Sequence, residues 1–272
     1  MIQSERKVII IAEIGENHMG NMDLAEEMIK EAALAGAQIV KFQSYRKETF
    51  LTSDPEYSWF QKVSLSDEDH FMLQKCANKN NVEFLSAPFD MNRAIFLCET
   101  LGLRRLKVAS GKMNDRDLLG YLNNHCEEIF LSTGMANLVE IRESLSYLKK
   151  VKVNLLHCVS QYPLENKNAN LKAINTLIKE FPNLDIGYSD HTCGILAPIV
   201  ALTLGAVVIE KHFTLDKNFP EGTDHVLSAT PEELKEIVDS AKEISKLLGD
   251  GTKEPRQCEL EIVDFVRSRF VG

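Results

Sequence analysis

What most limits the folds open to this chain is a rhythm, a short apolar run followed by an amphipathic stretch, which recurs eight times. The first run, 8–14, is apolar except for Glu13, as in a parallel strand covered on both faces. From Met22 to Ala35, residues Leu24, Met28, Ile29, Ala32 and Ala33 fall at helical spacing, and Gly36 suits the left-handed residue that closes a helix. Further strands are predicted at 38–42, 82–86, 103–109, 128–132, 151–158, 184–188 and 206–210. Helices are predicted between them, opening at Ser66 with Asp69 as a capping box, then ending at Leu101, and covering 115–124, 137–149, 169–181 and 194–204. The last has the clearest start: Thr230 as N-cap, Pro231 at the first position, Glu233 at the third, an apolar stripe from Leu234 to Ile244 and Gly249 beyond its end.

Eight strand-then-helix units in about 250 residues predict a closed α/β barrel, the (β/α)8 or TIM barrel, as one domain spanning 1–272. A doubly wound sheet alternates in the same way, but its glycine-rich dinucleotide fingerprint is missing after the first strand. Residues 44–66, with Tyr57, Trp59 and Phe60, are predicted as a long loop of the kind that covers a site. The stretches Ala35 to Lys41 and Leu204 to Lys211 repeat one pattern of helix end, glycine, strand and lysine.

A net charge of −9 gives no electrostatic footprint for nucleic acid or an anionic membrane, which leaves small molecules and other protein chains as partners. Six dispersed cysteines without a C-x-x-C pair predict reduced thiols rather than a disulfide framework. The first apolar run is too short for a secretory signal and the longest, Ile195 to Ile209, is broken by Pro198, Thr203 and Gly205, so a cytoplasmic protein is expected.

In a barrel, working residues stand where strands end at the C-terminal face. Those ends carry Glu13, Lys41 with Gln43, Ser86, Lys107 with Ser110, Ser132, His157 with Ser160, Ser189 with Asp190 and His191, and Glu210 with Lys211 and His212. A single lysine there is an ordinary solvated charge and a single serine an ordinary helix cap. Together, lysines, hydroxyls and the amides of Gly111 and Gly134 suit a ligand bearing phosphate and carboxylate. His191 and His212, each following a strand, are the candidate ligands of one divalent metal, acting as Lewis acid or template for the second substrate. Ser110-Gly-Lys112 lacks the upstream glycine and following Ser/Thr of a P-loop.

The blocks Ala12–Gly20, Val40-Lys-Phe-Gln43, Lys107-Val-Ala-Ser-Gly111, Leu131-Ser-Thr-Gly-Met135, His157-Cys158 with Tyr162-Pro163, Gly187–Thr192 and Ile209–Asp216 resemble, in order, those of the sialic acid synthase (N-acetylneuraminate synthase) family. The resemblance implies a TIM barrel that condenses phosphoenolpyruvate with an N-acylated mannosamine-type sugar to a nine-carbon 2-keto-3-deoxy acid, releasing phosphate. It implies that His191 and His212 bind Mn²⁺, with Mg²⁺ or Co²⁺ as alternatives. It further implies that Lys41, Lys107, Ser110, Ser132 and Ser189 hold phosphoenolpyruvate, and that Glu13, Gln43, Tyr162 and Asp224 face the sugar and water. A homodimer is expected on the same ground.

The chain also departs from the family. Lys112 stands where an acidic residue usually lines the sugar site, Ala87 replaces a threonine, and Ser160, counted among the substrate-binding residues, occupies an asparagine or serine position. Reversed charge at 112 implies an altered sugar or weakened catalysis. The small C-terminal antifreeze-like domain of the family, which supplies an arginine to the N-acyl group, is expected to be absent. Two other readings remain: a synthase of 3-deoxy-ulosonates that takes a plain aldose or its phosphate, and a catalytically silent ligand-binding paralogue.

Overall fold

A computed structural model describes residues 8–269 apart from Phe50 and Thr223. Eight parallel strands form one sheet: β1 (Ile9–Gly15), β2 (Ile39–Ser44), β3 (Glu83–Pro88), β4 (Arg105–Val108), β5 (Glu128–Ser132), β6 (Lys152–Cys158), β7 (Asp185–Asp190) and β8 (Val208–His212). They are ordered β3-β2-β1-β8-β7-β6-β5-β4. The two ends of that order, β3 and β4, lie against each other. Arg105 of β4 pairs there with Glu83 of β3 and, at 2.6 Å, with Glu128 of β5. The sheet is thus a nearly closed TIM barrel, as expected from the alternation.

Strand periodicity divides the apolar residues into two cores, because successive side chains point to opposite faces. Ile11, Ile39, Leu85, Phe130, Leu156 and Val208 fill the barrel interior. Their neighbours in sequence, such as Ile10, Val40, Phe84, Ile129, Leu155 and Ile209, join the layer between strands and helices. Gly187 belongs to the interior layer, where a Cβ would meet the side chain of Leu156 and lie 2.6 Å from the Val208 carbonyl oxygen.

The helices are α1 (Met22–Ala35), α2 (Tyr57–Val63), α3 (Asp67–Lys79), α4 (Met91–Ile95), α5 (Arg116–His125), α6 (Leu138–Ser146), α7 (Ala173–Glu180), α8 (Leu196–Thr203), α9 (Pro231–Leu248), α10 (Gln257–Leu260) and α11 (Val263–Ser268). Gly36 caps α1 in the left-handed region, with its N–H on the Ala32 and Ala33 carbonyls. Reciprocal capping boxes open α3 (Ser66, Asp69) and α9 (Thr230, Glu233). Helix α9 buries Leu234, Ile237, Val238 and Ala241, and Val238 packs against Gly36, joining α9 to the end of α1.

Several boundaries differ from the sequence reading. The fourth helix does not run unbroken to Leu101. It widens into a π turn at Phe96–Thr100, where the Leu101 N–H donates to Phe96 O at 2.9 Å. That turn buries Phe96, Leu97 and Cys98 in succession. Helix α7 starts four residues late because Asn170 takes φ 45° and interrupts the preceding turn. The 44–66 segment is not a bare loop, since it contains a 3-10 turn at Lys47–Thr49 and helix α2. Among the described residues no helix is long and apolar enough to cross a membrane.

Candidate active site

Register places the polar strand ends in one ring. Glu13 on β1 lies opposite Lys41 on β2 and His212 on β8, while Ser189 on β7 lies opposite Glu210. All five are buried, as are Lys107 and Ser132. Lys41 Nζ lies 3.1 Å from Glu13 Oε2 and 3.4 Å from Glu210 Oε2. Lys107 Nζ lies 3.5 Å from Glu210 Oε1, to which the Ser189 hydroxyl donates at 2.9 Å. The two ammonium groups therefore share Glu210 and are oriented by it.

Beside them is a cradle of hydroxyls and amides. The Gly134 N–H donates to Ser110 Oγ at 3.0 Å, and a Cβ at Gly134 would run into the hydroxyls of both Ser110 and Ser160. Ser132 Oγ is buried without a hydrogen-bond partner. A buried hydroxyl with no protein partner is a costly arrangement that an oxygen-rich ligand would relieve.

Across the mouth, the rings of His191 and His212 are 5.5 Å apart between centroids. Tyr162 packs on both, 4.0 Å from His191 and 6.0 Å from His212. His191 Nδ1 is 2.8 Å from the Val159 carbonyl oxygen, which can only accept, so Nδ1 carries the proton and Nε2 has the free lone pair. His212 Nδ1 is buried without a hydrogen-bond partner, and its nearest charged atom is Asp224 Oδ2 at 3.5 Å. Burial holds both imidazoles below the usual histidine range, and His191 further disfavours charge on His212, which favours the neutral form that a metal ligand requires. The pair fits a divalent ion. Among the described residues no group of three or more His, Cys, Asp or Glu is gathered for a metal, so an ion held by the two imidazoles would need water or substrate in its other positions.

Against this geometry stand the comparisons. The NeuB family pattern matches residues 28–253, more than half of the chain. The chain belongs to the NeuB family. An N,N'-diacetyllegionaminic acid synthase of Legionella pneumophila is 40% identical over 286 residues, covering 97% of this chain and 80% of that protein. The N-acetylneuraminate-9-phosphate synthase of Mus musculus is 34% identical, covering 92% of this chain and 74% of the relative. A solved N-acetylneuraminic acid (sialic acid) synthetase from Leptospira borgpetersenii superposes with a TM-score of 0.91 at 37% identity, covering 98% of this chain and 93% of that one. A truncated 3-deoxy-D-arabino-heptulosonate 7-phosphate synthase from Thermotoga maritima shares the fold alone, at 16% identity and a TM-score of 0.68. This NeuB-family chain is an enzyme of the sialic acid synthase type.

Within this NeuB-family site the charges balance closely. Burial raises the Glu13 carboxyl, Lys41 opposes that and Glu210 adds to it, bringing its pKa to about 7. Burial acts on Glu210 in the same direction, but Lys107 and Lys41 outweigh it and bring the pKa down to about 2. Lys107 is lowered by burial, against Glu210 and with Lys41. Two ammoniums, one fixed carboxylate and one carboxyl that titrates near neutrality leave between zero and one positive charge, and the full charge when Glu13 is protonated.

The sequence-selected residues do not all meet. Glu13, Lys41, Lys107, Ser110, Ser132, Ser160, Ser189, His191, His212, Tyr162 and Asp224 form the two adjoining clusters above, and Gln43 reaches over Gly15 beside Glu13. Lys112 sits in the 3-10 turn after β4 and faces Asp115, the N-cap of α5, at 3.6 Å. Two residues gain roles that the strand-end reading did not assign. Glu210 is the hub of the lysines, a position marked by its two-residue offset from His212, which puts both on one face. Glu16 accepts from the Tyr45 hydroxyl at 2.6 Å and from Trp59 Nε1 at 2.7 Å, a long-range contact with no local sequence signal.

Proposed function

We propose that this enzyme condenses phosphoenolpyruvate with an N-acylated mannosamine-type aldose, giving a nine-carbon 2-keto-3-deoxy acid and inorganic phosphate. The observation that carries this reading is the buried ring in which Lys41 and Lys107 flank Glu210 beside the unpartnered Ser132 hydroxyl. Such a ring suits a small substrate with a carboxylate and a phosphate. The neutral imidazole pair at the ends of β7 and β8 supports a carbonyl co-substrate, and the named activities of the relatives support a sugar of this class.

His191 and His212 would hold the divalent ion, Mn²⁺ in this reading, which when bound would supply Lewis-acid polarisation of the aldehyde oxygen. The chain's own groups do the rest. Lys41, Lys107 and the Ser110–Ser132–Ser160 cradle hold the anionic substrate with its methylene carbon toward the aldehyde. The carbon–carbon bond forms as the enol double bond attacks the aldehyde carbon; the carbonyl π pair moves to the aldehyde oxygen, which takes a proton to become a hydroxyl, and a cationic centre is left at the carbon bearing the phosphate ester. Water adds there, and Glu13, with a pKa of about 7, is poised to take its proton. Loss of phosphate from that carbon then gives the ketone, with the ammonium groups stabilising the departing anion. Asp224 and Tyr162 frame the aldose half of the site.

The test is mass spectrometry of products from phosphoenolpyruvate and mixed aldoses with added Mn²⁺, alongside a phosphate-release assay. Phosphate release that requires phosphoenolpyruvate, N-acylated aldose and metal together is the expected result. Equal turnover of plain aldose phosphates, or none with any N-acylated hexosamine, would refute it.

A further inference from the structure

Helix α2 is tied to the barrel at three points. Both oxygens of Glu16, in the turn after β1, are taken by donors from the 45–63 segment: the Tyr45 hydroxyl and the Trp59 indole N–H. The Lys62 carbonyl closes over Gly20, where φ is 74° and a Cβ would collide with it. From the other side, Lys62 pairs with Glu221, and the Trp59 ring comes within 3.4 Å of where a Cβ on Gly222 would lie. Glu221 and Gly222 belong to the β8–α9 connection that carries Asp224, whose carboxylate is 3.5 Å from His212. Burial raises Glu16 above the usual carboxylate range against the Tyr45 and Trp59 hydrogen bonds, and the charge of Asp224 adds to the rise. Contacts thus lead from Glu16 through Trp59 to the loop presenting Asp224. Both Glu16 and Trp59 are half-buried, and the Lys62 ammonium lies over the indole ring, 5.8 Å from its centroid.

We propose that Glu16 is a positioning residue: by holding the Trp59 indole and the Tyr45 hydroxyl it fixes α2 as one wall of the aldose subsite and sets the loop that carries Asp224. This rests on the aldose lying between His212 and Asp224, as proposed above. The chemistry asks for a hydrogen-bond acceptor at position 16 rather than a charge. A glutamine there can accept from the indole through its carbonyl and donate to the tyrosine oxygen, which accepts as readily as it donates. An aromatic wall suits the carbon face of a sugar, while the groups assigned to phosphoenolpyruvate, Lys41, Lys107, Ser110, Ser132 and Ser160, are not among the contacts that hold α2.

Trp59 is the one tryptophan in the sequence, so its emission reports this wall directly. Glu16→Ala should shift the emission to longer wavelength, speed hydrogen exchange across 45–63 and 217–222, and raise KM for N-acetylmannosamine about tenfold. KM for phosphoenolpyruvate should stay within about twofold of wild type. Glu16→Gln should restore both emission and aldose KM. Tyr45→Phe, which removes one donor and keeps the ring, should give the same changes at smaller size and serves if Glu16→Ala does not fold. An unchanged emission and exchange pattern in Glu16→Ala, a parallel rise of both KM values, or a Glu16→Gln variant as impaired as Glu16→Ala would each overturn the proposal. No consumption of any N-acylated aldose by the wild-type enzyme would remove the proposed function and the aldose wall with it, whereas emission and exchange would still decide whether Glu16 holds α2.

Discussion

Replacing Lys211 with methionine is a stringent test of how the barrel holds its two histidines. Lys211 and Asp190 are fully buried and 2.6 Å apart, each standing one residue before a proposed metal ligand. The ammonium also donates to the Thr192 carbonyl, while Asp190 accepts from the Tyr188 hydroxyl at 2.8 Å and the Thr192 N–H at 2.9 Å. At that separation and an effective dielectric of about 20, the attraction is ~6 kcal/mol, offset in part by desolvation of both ions. Lys211→Met leaves the carboxylate buried without its counter-ion, for an expected loss of roughly 3–5 kcal/mol, or on the order of 10 °C in Tm for a chain of this size. Asp190→Asn with Lys211→Met should cost less than the two single losses combined, with a coupling of about 2 kcal/mol. Urea unfolding of the four proteins in the cycle measures this, and titration of Mn²⁺ should show weaker binding by Lys211→Met. A single variant within about 1 kcal/mol of wild type, or strictly additive losses, would refute the reasoning.

Other outcomes follow from the same geometry. Ser132→Ala removes a buried hydroxyl that has no protein partner, so stability should hold within about 0.5 kcal/mol while KM for phosphoenolpyruvate rises roughly tenfold; a clear loss of stability in thermal melts would contradict this. Gly187→Ala should cost roughly 1–3 kcal/mol by overpacking the layer at Leu156 and Val208, read from urea midpoints. Burial lowers His18 and His70 from 6.5 to about 4, so the native state resists protons that the unfolded chain accepts. Their contribution is present above about pH 6.5 and lost as pH falls toward 4, roughly 3 kcal/mol each; urea midpoints against pH should show this, with a shallower slope in His70→Gln. Chelation should abolish turnover and Mn²⁺ should restore it, whereas turnover unaffected by chelator would exclude the imidazole pair as a required metal site.

The alternation of apolar runs and amphipathic helices, with caps such as Gly36 and the Thr230–Glu233 box, is local, and each such element was legible residue by residue. Strand ends were legible too, which is why Glu13, Lys41, Lys107, Ser189, His191 and His212 could be named before any contact was known. The two lysine-ended repeats show where that reading stops. Lys41 pairs in register with Glu13 and points into the barrel, whereas Lys211 pairs with Ala12 and is sealed outside it against Asp190. Lys41 lies five residues beyond Gly36 and Lys211 six beyond Gly205, a one-residue difference that turns the side chain to the opposite face, but only the structure shows which of the two faces inward. Glu16 and Glu210 are known as a latch and a hub through partners 29 to 169 residues away in sequence, Tyr45 and Trp59 for one, Lys41 and Lys107 for the other. Local pattern therefore determined which residues reach the barrel mouth, and only the closed sheet decided which of them face one another, because closure alone brings β1, β2, β4 and β8 around a common space.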